Sequence, residues 1–146
     1  MSQAQINATI NRLLRLHFRS LAMYMLDARP WSRAENESAQ RAVEHIVADH
    51  QATSRRFADY LAEHHGDVDM GDFPLSYTAM NDLALSYLIA RLIQAQQRII
   101  ETIERELDGL QTEPTARALA EESLGSARGH LETLQELGAQ PAHYIA

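Results

Sequence analysis

The sequence predicts an all-α fold: one bundle of four long helices, arranged as two antiparallel hairpins joined by a long crossover. Three observations predict it. Apolar residues recur at three-to-four spacing through most of the 146 residues. The few glycines and prolines, 6 and 4, cluster between those stretches. No segment alternates apolar and polar residues in the manner of a strand.

The first helix is expected over about 3–28, with Ile6, Ile10, Leu13, Leu14, Leu21 and Met25 on one stripe. Pro30 stops it, because proline disfavours helical geometry in the residue before it. The second is expected over 33–65. Ser32 and Glu35 have the spacing of a capping box, Val43, Ile46, Val47, Phe57 and Leu61 form the stripe, and Gly66 supplies the left-handed cap. The third is expected over 78–108, carrying Leu85, Ile89, Leu92, Ile99, Ile103 and Leu107, with Gly109 after it. The fourth, over 113–137, tolerates Pro114 in its first turn and carries Leu119, Leu124, Leu131, Leu134 and Leu137 before Gly138.

Connection lengths set the topology. Residues 29–31 and 109–111 are short links between antiparallel neighbours, whereas 66–77 is longer and holds Gly66, Gly71 and Pro74. Twelve residues stretch about 40 Å, roughly the length of such a bundle, so this link can run from one end to the other.

Composition bounds the function. The chain is a single domain, 1–146, large enough to bury one ordinary core. It has no Cys, so disulfides are excluded. Lys plus Arg number 13 against 20 Asp plus Glu, a net charge of -7 without a long basic run, which argues against phosphate-driven nucleic-acid binding. The longest apolar run, 21–26, is too short for a membrane span, and the start of the chain has no secretion pattern, so a cytoplasmic protein is expected.

Polar residues interrupt the inward stripes at one level. His17 follows Leu13 and Leu14, His50 lies between Val47 and Phe57, Gln96 between Leu92 and Ile99, and His130 between Ala127 and Leu134. Each falls within about one and a half turns of its helix centre, so the four can meet at mid-bundle. Isolating such groups in a core costs on the order of 1 to 3 kcal/mol each, which convergence avoids. Neutral imidazoles suit a transition metal such as Zn, Cu, Fe or Ni. The other solution is a hydrogen-bonded polar layer that fixes helix register without metal.

The stretch from Leu13 through His17 to Tyr24, Ala28-Arg29 and Trp31 resembles the first helix of the bacterioferritin and Dps branch of the ferritin-like superfamily. There a ligand glutamate lies seven residues before a tyrosine, a position held here by His17. The segment 129–132 resembles the end of that family's Glu-x-x-His motif, and the second-helix copy falls on His50 and Thr53. The resemblance implies a ferritin-like bundle, self-association and a mid-bundle metal site that in the family is a di-iron centre. The aligned positions here read His17, His50, Thr53, Gln96 (or Gln94), Ala127 and His130. The bridging carboxylates are replaced, so ferroxidase activity is not carried over, and no methionine stands where the haem ligand would. The expectation is therefore a metal site of His17, His50, His130 and Gln96 holding Fe or Zn, with a role in metal or iron handling or storage. The alternative is a metal-free bundle that serves as a structural or partner-binding oligomer.

Other residues are read more plainly. His64-His65 ends a helix, where cations favour the dipole. His45 and Asp49, one turn apart beside His50, have the spacing of a second metal pocket, but their neighbours Glu44, Ala48 and Ala52 mark the face as solvated. Asp67, Asp69 and Asp72 alternate, but the calcium-loop pattern fails after Asp69. Tyr24, Tyr60 and Tyr87 lie on or beside the stripes, and Leu26, Trp31, Phe73 and Leu75 make a candidate self-association patch.

Overall fold

The structure, a computed structural model, describes residues 2–28, 37–80 and 85–139. Those residues are helical or irregular, with no strand among them. The described residues form five α-helices: α1 (Gln3–Phe18), α2 (Leu21–Ala28), α3 (Glu37–Glu63), α4 (Leu85–Leu107) and α5 (Pro114–Gly138). Short 3-10 turns occupy Leu75–Met80 and Asp108–Leu110. No helix among the described residues is long and apolar enough to cross a membrane.

The first expected helix is two helices. α1 starts in a capping box, with the Ser2 hydroxyl accepting from the Gln5 amide and the Gln5 side chain accepting from the Ser2 amide. It stops at Arg19, whose backbone leaves the helical region (φ -109°, ψ 27°). Ser20 then restarts the helix: its hydroxyl accepts the Met23 N–H, and its carbonyl accepts the Tyr24 N–H. A serine can compete with the helical ladder in this way, and an unbroken apolar stripe over 3–28 does not reveal it.

The described part of α3 begins at Glu37; the proposed cap at Ser32 and Glu35, like Pro30 and Trp31, lies outside the described residues. At the other end the left-handed position is held by His65 (φ 57°) and not by Gly66. The Gly66 N–H reaches the Leu61 carbonyl and the His65 N–H the Ala62 carbonyl, the paired bonds of a Schellman cap displaced one residue from the expectation. Gly66 instead leaves room for a neighbour: a Cβ there would stand 2.9 Å from the Asn7 amide and would have to displace that side chain. The expected start of the third helix at 78 is a 3-10 turn instead, and α4 is described only from Leu85. In α5, Pro114 sits in the first turn after Glu113, whose carboxylate caps the Thr115 amide.

Side-chain contacts give the helix directions. Gln3 meets Tyr60 and His17 meets His50, so α1 runs antiparallel to α3. Asp49 meets His130 and Tyr60 meets Glu113, so α3 runs antiparallel to α5. Gln96 bonds the Ala127 carbonyl while Gly138 packs against Ile93, so α4 runs antiparallel to α5. The segment after α3 climbs along α1. Asn7 bonds the His64 carbonyl, Asn11 the Asp67 carbonyl, Arg15 the Asp69 carboxylate, and Arg19 the carbonyls of Met70 and Gly71.

The core falls into two clusters. One, built on Met25, Val43, Ile46, Leu88, Ile89 and Leu134, joins α2 to the N-terminal halves of α3 and α4 and the end of α5. The other, built on Ile10, Leu13, Phe57, Leu61, Ile103 and Ala120, joins α1 to the opposite halves. Between them lies a layer of polar residues.

Candidate metal centre

The layer is built from one position on each of four helices. His17 stands in the last turn of α1, His50 in the middle of α3, Gln96 in the middle of α4 and His130 in the second half of α5. All four line one small cavity, together with Asp49 and Thr53. Its volume is about 10 Å³, room for a single water-sized body. His17, His50 and Gln96 are buried, at 3%, 4% and 3% exposure, which selects Gln96 over Gln94, an exposed residue that accepts from Arg91.

The imidazoles are unequally satisfied. His17 Nδ1 lies 2.8 Å from the Leu13 carbonyl, which fixes that nitrogen as the N–H and leaves Nε2 as the acceptor. Among the described residues Nε2 has no partner, and His50 has none on either ring nitrogen. The two rings lie 5.1 Å apart between centroids, and His17 also packs on Phe57 at 5.7 Å. His130 is partly exposed and donates from Nε2 to the Asp49 carboxylate at 2.6 Å, so only its Nδ1 is left for a further partner. The Gln96 amide donates to the Ala127 carbonyl at 3.2 Å.

Electrostatics keep the buried pair neutral. Burial pushes His17 down to about 4 from 6.5, against a smaller upward pull from the Leu13 carbonyl. Burial, followed by the charges of His17 and His130, holds His50 well below its ordinary value. Neutral imidazoles with free lone pairs are the form that binds a metal. As the rings stand, however, no three His, Asp or Glu groups among the described residues are placed to hold one ion together. The expected residues thus share a cavity without yet sharing a coordination point.

Compared with known proteins, the chain matches no family model, no curated protein and no solved structure.

Sequence reasoning missed Asp49 as a partner of His130, because it assigned that face of α3 to solvent. The one available hint was the spacing: Asp49 precedes His50 and so turns toward the neighbouring helix on the other side of the stripe. Of the alternating acids, Asp69 has a structural task. Asp69 pairs with Arg15 and caps the Gly71 amide. His64 donates from Nδ1 to the Tyr60 carbonyl and stacks on Tyr60 at 4.0 Å. Tyr87 is exposed and accepts from Arg91, so it is not a core residue. Of the proposed apolar patch, Leu75 is 87% exposed, Phe73 packs against Tyr24 and Tyr77, and the Leu26 and Trp31 side chains lie outside the description.

Proposed function

We propose that this protein is a ferritin-like helical bundle that binds one transition-metal ion at the mid-bundle histidine layer and serves in metal handling or storage. The observation that carries the reading is the three unpartnered ring nitrogens of His17 and His50 beside a cavity of single-ion size. Leaving such groups unanswered costs on the order of 1 to 3 kcal/mol apiece; a metal would answer one lone pair on each ring, while the second His50 nitrogen, the N–H of the neutral ring, would still call for an acceptor. His130 completes the donor set through its remaining nitrogen, with Asp49 orienting the ring as carboxylates do for metal-bound histidines. The imidazoles must swing inward to meet at one point. A nitrogen-rich set without bridging carboxylates suits zinc better than an iron pair. The antiparallel pairing of α1 with α3 and α4 with α5, with a long connection climbing α1, supports the ferritin-like arrangement. Exposed Leu75 and Tyr87 support self-association.

The second reading, a metal-free polar layer in a structural or partner-binding bundle, is favoured by the His17–Leu13 and His130–Asp49 bonds, which satisfy part of the layer internally. Metal analysis and cobalt titration separate the two. The first reading expects about one equivalent of bound ion, with the visible absorption of nitrogen-coordinated cobalt, lost in His17→Ala and His50→Ala. Retention of no metal, and a melting temperature indifferent to zinc and to chelator, would sink it.

A further inference from the structure

A second cavity, of about 340 Å³, opens between α1, the segment that climbs it, and α4. That is the size of a small-molecule cleft. Every one of the chain's 13 cationic residues is an arginine, and four of them, Arg12, Arg15, Arg19 and Arg98, stand on its walls. This concentration occurs in a protein of net charge -7. Even with the carboxylates of Asp69, Asp72 and Glu106 set against the four guanidiniums, one positive charge remains.

Three of the arginines have structural tasks. Arg12 grips the Glu106 carboxylate through both Nε and Nη2. Arg15 pairs with Asp69. Arg19 donates to the carbonyls of Met70 and Gly71 and lies against the rings of Phe18 and Phe73. Gly71 allows this closure: its φ is +62°, and a Cβ there would come within 2.8 Å of the Arg15 side chain. The wall is therefore clamped in place. Arg98 is different, since its guanidinium meets no hydrogen-bond or ion-pair partner among the described residues. It shares the cleft wall with the half-buried Tyr77, whose phenol burial pushes up and the Arg98 charge pulls back down. The floor beside it is aliphatic, from Leu16, Leu21, Ala95 and Ile99.

We propose that this cleft binds a small organic anion, with its oxyanion head on Arg98 and Tyr77 and its alkyl body on the Leu16, Leu21, Ala95 and Ile99 floor. A guanidinium matches carboxylate and phosphate oxygens equally well, so the shared chemistry is an oxyanion on an alkyl chain. The site is separate from the histidine layer and stands or falls independently of it.

Calorimetric titration of the full chain tests the assignment, with octanoate and octyl phosphate as the two head groups. Octanol supplies the body without charge, and acetate and inorganic phosphate supply the head without body. Saturable binding of octanoate or octyl phosphate is expected, and the tighter of the two names the head group. Arg98→Gln, at an exposed position, should leave the circular dichroism unchanged and weaken binding at least tenfold. Ala95→Phe, which fills the apolar wall, should weaken it as well. Binding of neither amphiphile, equal binding of octanol, equal binding of the bare anions, or undiminished binding by Arg98→Gln would each overturn the proposal.

Discussion

His50, at 4% exposure, presents two ring nitrogens that no described residue answers. A buried polar group without partners destabilises more than an apolar side chain of similar size. In the presence of chelator, His50→Leu should therefore raise unfolding free energy by about 1 to 3 kcal/mol while abolishing any response to zinc. Urea denaturation of the two chains, each with and without metal, checks both halves of that expectation. His17 makes the fold acid-sensitive. Its folded pKa of about 4 lies below the unfolded 6.5, so the unfolded chain binds the extra proton between those values, and stability falls as pH drops through that window. The loss from this group alone is on the order of 3 kcal/mol, complete near pH 4 and absent above pH 7. His50 acts in the same direction. Melting temperatures measured in chelator from pH 7.5 to 4 should decline across this range, and a flat profile would contradict the burial of both rings.

At the level of helices, the break between α1 and α2 is the feature the sequence concealed. The Ser20 hydroxyl on the Met23 amide is the bond that restarts the chain, and Ser20→Ala should cost about 1 kcal/mol, read by chemical denaturation. The apolar periodicity through Leu13, Leu14, Leu21 and Met25 is continuous, so it predicted one helix. Only the local competition of a serine, together with the anchoring of Arg19 on the climbing segment, decided otherwise. The legible parts were those governed by period and punctuation: the stripe of α3 through Phe57 and Leu61, the body of α4, and Pro114 at the start of α5. The co-location of His17, His50, Gln96 and His130 was readable for the same reason, since position along a stripe fixes both face and height. The satisfaction of each nitrogen was not readable, because it depends on rotamers and on partners such as Asp49 that sit on another face.

For the molecule as a whole, the polar layer divides the interior into two apolar clusters. A bound ion would tie helices from both sides of that seam at one point. Zinc is therefore expected to slow amide exchange most around 14–20, 47–53 and 126–134, on either side of the layer, and little near the Ser2 cap. Uniform slowing along all helices, or none, would contradict binding at this level.

The division has a consequence for how the chain is made. Each cluster draws its walls from early and late helices alike, one reaching from Leu21 to Leu137 and the other from Ile6 to Ala127. During synthesis neither half can close its interior before α5 has left the ribosome, so the nascent polypeptide carries open apolar grooves until that helix emerges.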